Sequence, residues 1–152
     1  MNALDYKILQ LLTTNGRATW AELAANVGMS GPAIADRVRR LEEQGVIKGY
    51  TAILNPESVG YEMTAFISIS IDQLEHRELF LARVPEIPEV QECHHVAGEY
   101  DYLLKVRCQG TKDLDRIISQ ELRRLPGVFK TQTTITLNTY KDTQKIPLPT
   151  EN

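Results

Sequence analysis

The side chains best suited to chemistry in this chain are arginines. Arg37, Arg39 and Arg40 stand with Asp36 in the segment 30–45, SGPAIADRVRRLEEQG. Guanidinium groups grip phosphate oxygens as planar forks and read guanine edges with the same geometry, so arginines gathered on one helix point to nucleic acid. A second set, Gly98, Glu99, Tyr100 and Asp101, lies in a loop between two strand-like runs. An acid there pairs with an ammonium and free backbone N–H groups with a carboxylate, which is the chemistry of an α-amino acid site. The same four residues also read as an ordinary hairpin turn. Other constellations offer less. His94 and His95 are adjacent in a strand, face opposite sides and cannot share a metal. Cys93 and Cys108 have neither metal-ligand nor CxxC spacing and are expected as reduced, half-buried strand residues. Ser68 and Ser70 lie mid-strand without a base at recognisable spacing, and no glycine-rich phosphate loop appears. The expectation is no metal, no cofactor and no catalytic residue.

The elements that position the arginines follow from caps and periodicity. Residues 2–15 read as a helix capped by Asn2, with Leu4, Ile8, Leu11 and Leu12 at helical spacing and Gly16 at its end. Thr19 and Glu22 form a T-x-x-E capping box that opens a second helix, closed by Gly28. Leu23, Ala24 and Val27 are its buried side, Trp20 is expected to pack, and Met29 fills the turn. Ser30 caps the third helix, and Pro32 falls in its first turn, where a missing N–H costs little. Ile34, Val38 and Leu41 define its core face. At about 100° per residue, Pro32, Asp36, Arg39 and Arg40 project from the far side. Arg37 falls at the edge of the core face, where it reaches either DNA or a neighbouring helix. Gly45 stops the helix, and residues 46–51 continue as a short strand or wing. Two helices joined by a glycine-containing turn make a helix-turn-helix; a three-helix bundle with a solvated arginine face is the plainer alternative. Residues expected at DNA are Ser30, Pro32, Ala33, Asp36, Arg37, Arg39, Arg40 and Lys48. Asp36 either pairs with Arg39 or Arg40, or accepts from a base donor.

Net charge is −3 over 152 residues, which by itself argues against nucleic acid. Its distribution matters more: the first fifty residues carry six basic and five acidic side chains, the remainder eleven and fifteen. The basic residues of the first part gather on one helix, and the local field counts for more than the total. No apolar run approaches the roughly 18 residues that span a bilayer. The N-terminus lacks the basic-then-apolar pattern of a signal peptide. A cytosolic, nucleoid-associated protein is expected.

Pro56 and Gly60 break the periodicity, so residues 55–62 read as a linker between domains 1–54 and 63–140, with a tail at 141–152. The second half alternates as strand (65–71), helix (72–84, with Leu79, Phe80 and Val84 inward), strand (90–96), strand (102–108), helix (111–125) and strand (129–137). That order predicts a ferredoxin-like βαββαβ sandwich with helices on one face of an antiparallel sheet. The fold class is therefore α+β, a winged helix-turn-helix followed by this sandwich. The uncovered sheet face predicts a homodimer, which also sets two recognition helices against a near-palindromic site.

Several stretches carry a resemblance. LDYKILQLL (4–12), NGR (15–17), ELA (22–24) and MSGPAIADRVRRLEEQGVIKGYTA (29–52) resemble the DNA-binding half of the Lrp/AsnC, or feast/famine, regulators. VAGEYDYLLKV (96–106) resembles the signature loop and strand of that family's effector domain, and KTQTTITL (130–137) its terminal strand. Met29 replaces the usual leucine. Asp36 stands where many members carry a basic or neutral residue, which leaves the operator sequence open. The resemblance implies double-stranded DNA as partner, dimers joined into octamers or similar rings, and a small amino acid bound at the dimer–dimer contact. It implies an effector role for Gly98, Glu99, Tyr100 and Asp101, with Thr131 and Thr133 from a neighbour. Some tetrapyrrole decarboxylases resemble the family in both halves. That alternative needs a basic cluster and an acid histidine, and the second half is acidic.

Overall fold

The computed structural model describes residues 1–149; the last three residues of the expected tail lie outside them. The chain divides into two compact units, one built on the first 53 residues and one spanning Leu54–Lys141. Among the described residues no helix is long and apolar enough to cross a membrane.

The first unit holds α1 (Ala3–Thr14), α2 (Trp20–Val27) and α3 (Gly31–Glu43). Each helix begins on a side chain that satisfies N–H groups which a helix start leaves unpaired. The Asn2 side chain accepts from the Asp5 N–H at 3.1 Å while the Asp5 carboxylate accepts from the Asn2 N–H at 2.8 Å. Thr19 and Glu22 repeat the reciprocal arrangement, and Ser30 Oγ accepts from the Ala33 N–H. Gly28, at φ 74°, ends α2 in the left-handed region that glycine enters at no steric cost. At the other end of α3 the N–H groups of Gly45 and Val46 reach back to the carbonyls of Glu42 and Leu41, both at 2.9 Å. This is a Schellman closure, with Gly45 at φ 70°. Ile8, Leu23, Ala24, Ile34 and Val38 are buried together, with Leu11, Leu12, Val27, Met29 and Ile47 packed against them.

Two expectations for this unit need correction. Trp20 is less packed than expected: it stands at the first residue of α2 and stays 46% exposed, although its spacing to Leu23 and Ala24 puts it on their side of the helix. Residues 46–51 form no strand; the wing is irregular backbone. Ile47 tethers it to the core and the Tyr50 hydroxyl donates to Glu42 at 2.9 Å.

The second unit runs β1 (Met63–Ile71), α4 (Leu74–Arg83), β2 (Val90–His95), β3 (Tyr102–Cys108), α5 (Thr111–Arg116) and β4 (Val128–Ile135). The sheet order is β2-β3-β1-β4 with every pairing antiparallel, the ferredoxin-like arrangement. Strand alternation sends Ala65, Ile67 and Ile69 of β1 and Tyr102, Leu104, Val106 and Cys108 of β3 to one face, where Phe80, Val84, Leu114, Ile117 and Leu122 cover them. The helix expected over 111–125 ends its regular part early. After Arg116 the backbone widens into a π segment, Ile117–Leu122. The wider turn brings residues five apart onto one side, so Ile117 and Leu122 are both buried. Leu79, expected inward, is 53% exposed, since α4 turns Phe80 and, four residues on, Val84 to the sheet and Leu79 falls about 100° from Phe80. β4 ends at Ile135, short of residue 137, and Leu137 is 92% exposed. The cysteines are unlike one another: Cys108 is fully buried and Cys93 exposed. Burial pushes both thiols up.

The opposite sheet face is less apolar than a core. Register places Phe66, Ser68 and Ser70 beside Leu103, Lys105 and Arg107 on one flank and Thr134, Gln132 and Lys130 on the other. Lys105 pairs with Glu92 at 3.2 Å, and Arg107 donates to Gln91 at 2.8 Å and to Thr64 at 3.2 Å.

Candidate nucleic-acid interface and effector loop

The outward face of α3 follows from its inward one. With Ile34, Val38 and Leu41 buried, Pro32, Arg39 and Arg40 are exposed and Asp36 is half-exposed. Asp36 uses both carboxylate oxygens: Oδ1 accepts from Arg39 Nη2 at 2.5 Å, and Oδ2 lies 3.1 Å from Arg40 Nη2. Glu43 stands 3.9 Å from Arg39 Nε on the other side. Of the two roles left open for Asp36, the free chain takes the ion pair. Ser30 and Lys48 are exposed and Ala33 is half-buried.

Arg37 turns inward. Its Nη1 donates to Asp5 Oδ1 at 2.7 Å and to Asn2 Oδ1 at 3.4 Å, tying α3 to the start of α1. Its side chain is 21% exposed and that of Asp5 14%. Burial works to raise the Asp5 carboxyl, but the Asn2 N–H and the Arg37 guanidinium outweigh it, and the group sits below the usual carboxylate range. The structure thus takes Arg37 off the exposed face and makes it a brace. The Tyr50 phenol is pushed up to about 12 by burial and by the neighbouring Glu42 carboxylate.

In the second unit the loop after β2 closes on the Asp101 carbonyl, which accepts from the Val96 N–H at 2.9 Å. Asp101 is locked to β1: its N–H donates to the Ile69 carbonyl at 3.0 Å and its Oδ2 accepts from the Ile71 N–H at 2.8 Å. Glu99 pairs with Lys130 at 2.6 Å, and the Tyr100 hydroxyl donates to Gln132 at 2.8 Å, with Lys130 Nζ 4.6 Å from the Tyr100 ring centroid. Hydrogen bonding to Glu99 raises the Lys130 ammonium. Gly98 has open space around it; a Cβ there would meet nothing within 4 Å.

The loop and the two threonines do not meet within one chain. Thr131 and Thr133 align with Ile69 and Ile67 on the helix-covered face, whereas the Lys130 and Gln132 partners of Glu99 and Tyr100 lie on the other. Thr131 Oγ1 instead accepts from Arg123 Nε at 3.2 Å. Asp101 lines a recess of about 120 Å³ with Ile71, Asp72, Gln73, Leu74 and Arg77. Arg77, Lys130 and Gln132 escaped the sequence reading. Lys130 and Gln132 were legible as one face of a strand, but only the register shows that the loop folds over them. For Arg77 no sequence signal exists, because its place depends on where α4 crosses the sheet. Among the described residues no three His, Cys, Asp or Glu side chains gather as a metal site.

A basic helix-turn-helix followed by a ligand-domain fold defines a class of transcriptional regulator. The comparisons agree. Residues 1–48 match the winged helix-turn-helix DNA-binding model and residues 64–146 the Lrp/AsnC ligand binding domain. The leucine-responsive regulatory protein of Salmonella typhimurium is 37% identical, covering 99% of this chain and 93% of that protein; its Escherichia coli K12 counterpart is 36% identical over the same shares. Among solved structures, a transcriptional regulator of Neisseria meningitidis in complex with L-methionine superposes with a TM-score of 0.92 at 36% identity, covering 97% of this chain and 96% of that one. A feast or famine regulatory protein of Mycobacterium tuberculosis complexed with L-methionine gives 0.88 at 38% identity, covering 95% and 97%. The chain belongs to the Lrp/AsnC family of DNA-binding transcriptional regulators.

Proposed function

We propose that this protein is a sequence-specific regulator whose DNA binding is tuned by a small amino acid. The observation that carries the reading is α3, whose outward face presents Arg39 and Arg40 while Arg37 braces its back to α1. Ser30, Pro32 and Ala33 at the N-terminal end of α3 approach base edges, Arg39 and Arg40 supply charge toward base edges and phosphates, and Lys48 supplies charge toward phosphates. Two relatives of this fold hold L-methionine, which supports an amino-acid effector here. Asp101 and Arg77 in the recess supply an acid for an ammonium and a cation for a carboxylate. Thr131 and Thr133 face away from the loop, so a site using all of them takes the threonines from a second copy. This favours a homodimer assembling to an octamer or similar ring, with the effector at the contact between dimers. Its place is the cytoplasm, on the nucleoid.

The test joins both halves. Duplexes selected by the protein from a random pool are titrated with and without each of the twenty amino acids, alongside thermal melts. Binding to a selected duplex that strengthens or weakens with an amino acid which also raises the melting midpoint supports the reading. A protein that selects no duplex at low salt refutes it. DNA binding indifferent to every amino acid refutes the effector half.

A further inference from the structure

We infer that Asp36 is a specificity-determining residue of the DNA interface, acting as a clamp on Arg39 and Arg40. The inference rests on the DNA-binding reading above. Asp36 is the sole acid on the outward face of α3's middle turn, and it spends one oxygen on each guanidinium, Oδ1 on Arg39 Nη2 at 2.5 Å and Oδ2 on Arg40 Nη2 at 3.1 Å. Side chains of an α-helix lean toward its N-terminus. Pairing three and four residues back therefore holds both guanidinium groups toward the end of α3 that carries Ser30 and Pro32, the end that enters the major groove in a helix-turn-helix.

Two consequences follow from the charges. First, the trio carries one net positive charge instead of two, and Glu43 at 3.9 Å from Arg39 Nε lowers the local field further. Attraction to phosphates of any sequence is weakened accordingly. Second, each guanidinium has five N–H donors and gives only part of its fork to Asp36. The remaining donors are held in one orientation, which a bidentate contact to guanine O6 and N7 needs and a loose phosphate contact does not. Asp36 thus lowers the affinity for random DNA and keeps the arginines aligned for base edges. A carboxylate among DNA-facing arginines is otherwise an unexplained cost.

The test compares Asp36→Asn with the parent on one selected duplex and one scrambled duplex, across a salt series. Asparagine keeps the shape and removes the charge; Asp36 is half-exposed and outside the core, so melting is expected to be unchanged. On the clamp, Asp36→Asn binds the scrambled duplex several-fold tighter. The slope of log K against log salt steepens by about 0.9, the value of one added phosphate contact. The ratio of selected to scrambled affinity falls at least five-fold. An unchanged ratio overturns the inference, and so does weaker binding to both duplexes with an unchanged slope. If Asp36→Asn instead changes preference at a single base pair with the slope intact, Asp36 reads a base directly and the clamp is wrong. Failure of the parent protein itself to select DNA is a separate result that overturns the functional reading.

Discussion

Removing the Arg37–Asp5 brace separates structural from DNA-contacting arginines. The two groups meet at 2.7 Å with side chains 21% and 14% exposed. At an effective dielectric of about 20 the gross attraction at that distance is about 6 kcal/mol. Desolvating both ions offsets most of it, leaving a net coupling of about 1–2 kcal/mol. Truncating either partner costs more, about 2–3 kcal/mol, because the other charge stays sequestered without compensation. In a domain of this size 2 kcal/mol lowers the melting midpoint by roughly 8–16 °C. Arg37→Met, Asp5→Asn and the double variant, followed by thermal and urea melts, form the cycle that isolates the coupling. The pH dependence has a definite sign. The Asp5 carboxyl is depressed in the folded protein, so its contribution is present above the unfolded value of about 3.9 and is lost as pH falls through the lower folded value. Asp5→Asn should remove that acid-side loss. If Arg37→Met weakens DNA binding while melting is unchanged, the brace is wrong and Arg37 is a DNA contact.

Gly127 sits at φ 80° and a Cβ there would overlap His76 and Asp72; Gly127→Ala should destabilise the second unit by more than about 2 kcal/mol in urea melts, from the left-handed backbone and the overlap together. In an ultraviolet titration the Tyr50 phenol should ionise near 12. Glu42→Gln should move that midpoint part of the way toward the ordinary value of about 10 while burial keeps the rest. Asp101→Ala removes the acceptor for the Ile71 N–H and should abolish the amino-acid-induced rise in melting; an unchanged rise places the effector elsewhere.

Local signals were readable where the residue alone decides the outcome. Asn2, Thr19 and Ser30 cap because a short polar side chain before an apolar-periodic run satisfies helix N–H groups, and the structure has all three doing so. Ile34, Val38 and Leu41 were readable from spacing. Features set by packing were not. The π segment after Arg116 leaves the apolar spacing of Leu114, Ile117 and Leu122 looking helical. Trp20 shares the side of Leu23 and Ala24 by spacing, yet at the first residue of α2 it stays 46% exposed, which neither its size nor the periodicity gives. In the site, angular counting separated Arg37 from Arg39 and Arg40, but only the fold supplies its partner Asp5, distant in sequence. The effector loop was legible as a loop. Its crossing to Lys130 and Gln132, and the orientation of Thr131 and Thr133 to the other face, needed the sheet register.

Whether α3 is the DNA-reading helix is decided by the salt dependence of duplex binding, compared between the parent protein and the Arg39→Ala/Arg40→Ala variant. If α3 lies in a groove with both arginines at the DNA, the variant binds a selected duplex more weakly. Its slope of log K against log salt is then shallower by up to about 1.8, with the melting midpoint and the oligomer unchanged. Equal affinity and equal slope for the two proteins would contradict the assignment of α3 as the DNA-reading helix.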